Sequence, residues 1–108
     1  MRLYGLKTCD TCRKSLKILT QAGHNATLID IRQQPLTPEQ LAQFHAVFGD
    51  DLVNRRSTTW RGLPASERDL DPLELLARHP ALMKRPVIEA AGQLYLGWDK
   101  QVQAALLG

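Results

Sequence analysis

Two cysteines separated by two residues, Cys9-Asp10-Thr11-Cys12, are the side chains of this chain whose spacing most directly indicates chemistry. They follow a short, partly apolar stretch at residues 2–6 that predicts a strand, and they open a helical pattern at residues 10–22 that Gly23 ends. At the start of a helix, unpaired backbone N–H groups and the positive end of the helix dipole favour an anion. We therefore expect the Cys9 thiol to have a lowered pKa and to be nucleophilic near neutral pH.

Cys12 lies about one helical turn after Cys9, so it could attack a mixed disulfide on Cys9 and resolve it. Lys7 and Arg13 are expected to add positive charge nearby. Two alternatives stay open. Cys12 could be a small buried core residue, with only Cys9 or neither cysteine reactive. The pair could also be half of a zinc site, but there is no second cysteine pair and the three histidines have no paired spacing, so no metal is expected.

Two groups of basic residues could hold an oxyanion. Residues 54–61 contain three arginines, among them Arg55 and Arg56, together with three hydroxyl side chains, and Lys84-Arg85-Pro86 precedes a predicted strand. The planar guanidinium binds oxyanions and carboxylates through two parallel contacts. Pro86 could turn the chain close to the reactive cysteine. The alternative for either group is a solvated surface loop.

The elements that must position these side chains begin with a βαβ unit, because a second strand is predicted at residues 26–31. Thr37-Pro38-Glu39-Gln40 then predicts a helix start, with Thr37 as the cap and Gln40 closing a capping box. Asp71-Pro72 repeats this signal. The helix that it starts is expected to turn three residues toward the core, namely Leu73, Leu76 and Ala77.

The end of the chain returns to strands. Residues 87–90 and 93–96 predict a hairpin with its turn near Gly92, and Asp99 is expected to cap a last helix. That helix should bury Val102, Ala105 and Leu106. The order βαβ, helices, ββα predicts an α/β fold with one domain, in which residues 1–34 and 83–108 form the core and residues 35–82 form a helical insertion.

Composition narrows the function classes. A length of 108 residues fits one domain, and 14 basic against 11 acidic residues give a net charge of +3, too little to indicate nucleic-acid binding. No apolar run approaches the ~18 residues of a membrane span, and the N-terminus lacks the apolar stretch of a signal peptide. We expect a cytoplasmic protein with no membrane or direct nucleic-acid partner. In that reducing compartment a close cysteine pair is more often redox-active or metal-binding than structural.

With these motifs in view, the chain resembles the arsenate reductase (ArsC)/Spx family over essentially its whole length, and it is most similar to the YffB-like branch. Three stretches carry the resemblance: Tyr4-Gly5 with residues 9–14, residues 54–63, and residues 79–88. The resemblance implies a thioredoxin-like fold with a helical insertion. It also implies thiol-dependent oxidoreductase activity, and the YffB-like branch is proposed to consist of glutathione-dependent thiol reductases.

The resemblance also implies roles for single residues. Cys9 matches the family's nucleophile, Arg56 its first oxyanion-binding arginine with Arg55 as the adjacent choice, and Arg85 its second. Arg85 precedes a proline that the family holds in the cis form, here Pro86. Arsenate reductases carry a third arginine after the last strand and usually a serine at the position of Cys12. Residues 94–99 contain no arginine here, which weakens the expectation that arsenate is the substrate.

The expected function is therefore that of a glutathione-dependent thiol reductase in which Arg56 and Arg85 hold a carboxylate of glutathione or a substrate oxyanion. No bound cofactor is expected, and glutathione would be the co-substrate. One alternative is an arsenate reductase in which Cys9 forms a thiol-arsenate adduct, glutathione displaces arsenite and glutaredoxin clears the remaining mixed disulfide. The other is an Spx-like regulator that binds the RNA polymerase α subunit, with a Cys9–Cys12 disulfide as its switch.

Overall fold

The computed structural model describes residues 1–108, which divide into two units. The first unit comprises Met1–Gln34 and Arg85–Gly108, and the second comprises Pro35–Lys84. The second unit therefore ends two residues later than the insertion predicted from the sequence. None of its helices, and none in the first unit, is both long and apolar enough to cross a bilayer.

The later boundary has a local cause in backbone pairing. Met83 forms an antiparallel bridge with Val53, and the Lys84 N–H donates a 2.8 Å hydrogen bond to the Leu52 carbonyl. These contacts attach residues 83 and 84 to the second unit.

The first unit is built on a four-stranded sheet in the order β2-β1-β3-β4. Its strands are β1 (Arg2–Gly5), β2 (Thr27–Asp30), β3 (Val87–Ala90) and β4 (Gln93–Leu96). β1 and β2 run parallel, whereas the β1–β3 and β3–β4 pairs are antiparallel. The predicted βαβ unit and the predicted hairpin are both confirmed, and with them the α/β class.

The antiparallel pairing of β1 with β3 decides which loops meet. Tyr4 lies opposite Val87, so the carboxyl end of β1 lies beside the beginning of β3. Antiparallel neighbours place the segment that leaves one strand next to the segment that enters the other. The segment of residues 6–9 and the segment of residues 85–86 therefore meet at the same end of the two central strands.

Two helices complete the first unit: α1 (Asp10–Gln21) and α6 (Lys100–Leu107). Its core cluster consists of Leu3, Leu19, Ile88, Val102 and Leu106. The Asp99 carboxylate accepts the Val102 N–H at 2.9 Å, which confirms the predicted cap of α6. The expectation that Ala105 is buried is wrong, because only the positions one turn apart at Val102 and Leu106 turn to the core.

The second unit contains four helices and two short 3₁₀ turns. The helices are α2 (Pro38–Phe48), α3 (Thr58–Arg61), α4 (Ala65–Arg68) and α5 (Pro72–Arg78), and the turns are Gly49–Leu52 and Pro80–Leu82. Only α2 and α5 are predicted from the sequence pattern.

The capping signals of the two longer helices are confirmed. At α2 the Thr37 hydroxyl accepts the Gln40 N–H at 3.1 Å, while the Gln40 side chain accepts the Thr37 N–H at 2.9 Å. The inner face predicted for α5 is partly wrong. Leu75 and Leu76 are buried and Ala77 is exposed, because a seven-residue helix has too few turns for its periodicity to single out one face.

Candidate active site

Cys9 is the residue that immediately precedes the first turn of α1. Its backbone is extended, with φ −84° and ψ 121°, and its carbonyl accepts the Arg13 N–H at 3.1 Å as a first helical hydrogen bond. The Cys9 N–H donates to the Leu6 carbonyl at 3.0 Å, which closes the turn between β1 and α1. Its side chain is partly exposed. The sulfur thus lies at the positive end of a helix and remains open to a substrate.

Cys12 differs from Cys9 in burial, since its side chain is fully buried. Burial raises the pKa of the Cys12 thiol to about 11, and the neighbouring Cys9 sulfur adds to the rise against the opposing effects of the Leu6 N–H and Arg85. At neutral pH the Cys12 thiol is therefore protonated. It is both a core residue and a hydrogen-bonding neighbour of Cys9.

Several groups act on Cys9 in opposite directions. Partial burial alone would raise its pKa, but the nearby Cys12 N–H, hydrogen bonds from the Arg85 side chain and the Cys12 thiol, and the charge of Arg85 lower the pKa below its ordinary value of 9.0. The Cys12 N–H lies outside the geometry of a standard capping hydrogen bond, yet it points a partial positive charge at the sulfur. The thiolate, which is the reactive form, is favoured.

Arg85 reaches Cys9 because of strand pairing. It lies directly before β3, and the Arg85–Pro86 peptide bond is cis, as the family resemblance implies. Pro86 is buried, and its carbonyl accepts the Gly97 N–H at 2.8 Å. The guanidinium is therefore presented to the sulfur from a segment that the sheet holds in place.

Gly5, the last residue of β1, allows Cys12 its position. A Cβ atom built on Gly5 would lie within 3.0 Å of the Cys12 sulfur, closer than real Cβ atoms approach their neighbours. The absence of a side chain at residue 5 thus creates the space that the buried thiol fills. Sequence reasoning noted Tyr4-Gly5 only as part of a motif and gave Gly5 no role.

Lys7 and Arg13 were expected to add positive charge near Cys9, but their side chains contact other residues. The Lys7 ammonium donates to the Gln33 side chain at 3.1 Å, and Arg13 forms an ion pair with Asp10. The groups that most strongly lower the pKa of Cys9 are Cys12 and Arg85. The cation that does so is Arg85, which lies far away in sequence and which the resemblance had matched to an oxyanion-binding position.

Asp30, at the end of β2, is a supporting residue that sequence reasoning missed. Its carboxylate accepts the Lys7 N–H at 3.0 Å and the Arg32 N–H at 2.9 Å. The hydrogen bond from Lys7, followed by smaller contributions from Arg32 and Gln33, lowers the pKa of Asp30. Asp30 therefore fastens the segment that leads to Cys9. The signal available in the sequence was an aspartate at the end of a predicted strand.

Arg55 and Arg56 belong to the second unit, where both are exposed and line a cavity of about 490 Å³. The Arg56 N–H donates to the Asn54 side chain at 3.1 Å, and the Arg55 guanidinium lies 5.4 Å from the centre of the Trp60 ring. The structure thus brings Cys9, Cys12 and Arg85 together in the first unit and groups the other two arginines in the second. No three His, Cys, Asp or Glu side chains are placed to hold a metal ion, so the cysteine pair has no further zinc ligands.

Residues 4–106 match the ArsC family. The chain belongs to the ArsC family. It is 42% identical to an uncharacterized protein of Haemophilus influenzae over 95% of this chain and 96% of that protein. It is 24% identical to the global transcriptional regulator Spx of Streptococcus pyogenes, over 93% of this chain and 79% of the regulator.

Among solved structures, a YffB protein superimposes with a TM-score of 0.89 at 32% identity, covering 99% of this chain and 98% of that one. The expected membership of the ArsC/Spx family, the YffB-like branch and the thioredoxin-like fold are therefore confirmed. As a member of the ArsC family, the chain belongs to a group of thiol-dependent oxidoreductases that also includes the Spx regulators.

Proposed function

We propose that this protein is a glutathione-dependent thiol reductase with Cys9 as its nucleophile. The observation that supports the proposal is the contrast between the two cysteines: Cys9 is partly exposed with a lowered pKa, and Cys12 beside it is buried and protonated. An accessible thiolate with a neutral hydrogen-bond donor beside it is suited to attack a disulfide and to leave again. Arg85 stabilises the thiolate in both steps.

The proposed reaction has two exchange steps. The Cys9 thiolate attacks the glutathione sulfur of a mixed disulfide, forming a Cys9–glutathione disulfide and releasing the substrate as a thiolate that takes a proton from water. The thiolate of a second glutathione then attacks the glutathione sulfur of this adduct. Glutathione disulfide leaves, and Cys9 returns as a thiolate. Overall, one mixed disulfide and one reduced glutathione give the substrate thiol and glutathione disulfide: the substrate sulfur is reduced, the second glutathione is oxidised and supplies the balancing proton, and the glutathione that entered with the substrate stays at the disulfide level.

We assign the second step to glutathione rather than to Cys12. A thiol with a pKa of about 11 is almost entirely protonated at neutral pH, and attack requires the thiolate. Cys12 therefore contributes its hydrogen bond to the Cys9 sulfur.

The experiment measures reduction of a glutathione mixed disulfide by the purified protein, with glutathione disulfide formation as the readout. Cys9→Ser should abolish turnover, whereas Cys12→Ser, the matched control, should keep a measurable part of it because a hydroxyl still donates to Cys9. Undiminished turnover by Cys9→Ser would contradict the assignment.

Arsenate reduction is the first alternative, and glutaredoxin would be its partner in clearing the mixed disulfide. The missing arginine in residues 94–99 disfavours it. Arsenite release measured with arsenate, glutathione and glutaredoxin should be slow compared with disulfide reduction. Rapid, Cys9-dependent arsenite release would assign arsenate as the substrate instead.

A redox-switched regulator is the second alternative, and it is favoured by the contact between Cys9 and Cys12 and by relatives named Spx. It predicts capture by the C-terminal domain of the RNA polymerase α subunit, with capture differing between the reduced and the oxidised protein. Capture of that kind, with no glutathione-dependent turnover, would favour the regulator.

A further inference from the structure

The cavity of the second unit is lined by charged side chains of both signs. Its charged lining residues are Asp50, Asp51, Arg55, Arg56 and Lys84. Its volume of about 490 Å³ lies within the range of roughly 300–1,000 Å³ that is usual for sites of small ligands. Three cations and two carboxylates thus share one space large enough for a small molecule.

Backbone hydrogen bonds hold the lining in place. The Asn54 N–H donates to the Leu82 carbonyl at 2.7 Å, and the Lys84 N–H donates to the Leu52 carbonyl at 2.8 Å. Between these two bonds, Val53 pairs with Met83. The loop that carries the acids and the arginines is therefore fixed to the segment that carries Lys84. The backbone pairing of residues 52–54 with residues 82–84 holds the two sides of the cavity together.

The charges in the cavity are not satisfied by one another. None of the ion pairs of the protein joins any two of these five residues. The Arg55 guanidinium contacts the Asp50 carbonyl at 3.4 Å and the Trp60 ring, but no carboxylate. Elsewhere in the same unit Arg78 pairs with Glu67 and Glu74. Separated positive and negative groups thus remain available to a ligand in this cavity.

We propose that the cavity binds a zwitterionic amino-acid end group, with the ligand's carboxylate on Arg56 and Lys84 and its ammonium on Asp50 and Asp51. A purely anionic ligand would leave the two carboxylates without a partner, and a purely cationic one would leave the three basic residues without a partner. The γ-glutamyl end of glutathione carries both charges on one carbon atom. Its identification as the ligand rests on the proposed function.

The test uses S-methylglutathione, whose blocked sulfur cannot undergo thiol exchange, so that binding is measured apart from Cys9 chemistry. Calorimetric titration of the wild type should show saturable binding. The double variant Asp50→Asn/Asp51→Asn should bind about fivefold more weakly, the size expected for losing two solvent-exposed ion pairs. Asp69→Asn removes an exposed carboxylate of the same unit outside the cavity and should leave the affinity unchanged.

A second probe tests the sign of the interaction. N-Acetyl-S-methylglutathione lacks the ammonium, so the wild type should bind it about fivefold more weakly than the parent probe, and the double variant should not distinguish the two. Equal or tighter binding of S-methylglutathione by the double variant would overturn the proposal, because it would show a site for anions alone. Failure of the wild type to bind the probe would also overturn it.

The experiments distinguish failure of the proposed reductase activity from failure of the proposed cavity ligand. Binding of S-methylglutathione without turnover by the wild type would contradict the proposed reductase activity and leave the cavity assignment standing. Cys9-dependent turnover without binding of the probe would contradict the cavity assignment alone.

Discussion

Adding one methyl group at Gly5 is expected to destabilise this protein through Cys12. The new Cβ would lie within 3.0 Å of the Cys12 sulfur, whereas the next nearest atoms, Cys12 Cβ at 3.5 Å and Leu28 Cδ1 at 3.7 Å, are at ordinary contact distances. A single atom therefore causes the clash. Because the sulfur is fully buried among packed side chains, it cannot move away without disturbing its neighbours.

The magnitude depends on what occupies residue 12. Overpacking a core position of this kind costs about 1–3 kcal/mol, so Gly5→Ala should lower the free energy of unfolding by that amount. In a Cys12→Ala background the clashing sulfur is gone. Gly5 has no positive φ, so Gly5→Ala should there stabilise the protein by about 0.4–1 kcal/mol by restricting the unfolded chain. Removing the Cys12 sulfur is therefore expected to reverse the sign of the change in unfolding free energy caused by Gly5→Ala.

Urea unfolding of the wild type, the two single variants and the double variant measures this coupling. Cys12→Ser is the matched control, because its hydroxyl keeps an atom at the γ position and Gly5→Ala should remain destabilising beside it. If the effects of Gly5→Ala and Cys12→Ala add within about 0.5 kcal/mol, the packing account is refuted.

Three further predictions concern the site and its scaffold. Arg85→Gln should raise the pKa of Cys9, seen as an upward shift in the pH dependence of alkylation, and an unchanged profile would contradict the role of that guanidinium. Thr37→Ala removes one half of the capping box with Gln40 and should cost about 1 kcal/mol in urea unfolding, whereas a loss near zero would show that the box does not stabilise α2. Ala91 has φ 50°, so Ala91→Asn should raise the free energy of unfolding by roughly 1 kcal/mol, and a destabilised variant would contradict the turn geometry.

Local signals located the hairpin and the two capped helix starts because their chemistry is local. The hairpin strands Val87–Ala90 and Gln93–Leu96 match the predicted ranges, since the alternation of side chains and the turn at Ala91-Gly92 act within neighbouring residues. Both turn residues have positive φ, the conformation of a tight hairpin. The capped starts at Thr37 and Asp71 were visible for the same reason.

The two one-turn helices of the second unit were not predicted, because their length gives no sequence repeat. The helices Thr58–Arg61 and Ala65–Arg68 have four residues each, about one turn, so no repeat of apolar residues can develop. The hydroxyl of Ser57 does cap the first of them by accepting the Trp60 N–H at 3.2 Å. A capping residue without a following apolar stripe is too weak a signal to predict a helix.

The candidate site also has features that depend on adjacent residues and one that depends on contacts distant in sequence. The helix start at Cys9 could be predicted from adjacent residues, and so could the lowered pKa of its thiol. The cation that lowers its pKa could not, because Lys7 and Arg13 are near in sequence but bind Gln33 and Asp10 instead. Arg85 reaches the sulfur only through the pairing of β1 with β3, which a local pattern does not contain.

The central claim is that the pKa of Cys9 lies below the ordinary thiol value while Cys12 beside it stays protonated. The most direct measurement is a pH titration of thiolate absorbance on the wild type and on the Cys9→Ser and Cys12→Ser variants. The account predicts one transition below the ordinary thiol pKa of 9.0 that disappears in Cys9→Ser and persists in Cys12→Ser, and a second near 11 that belongs to Cys12. A Cys9 transition at or above 9.0 would contradict it.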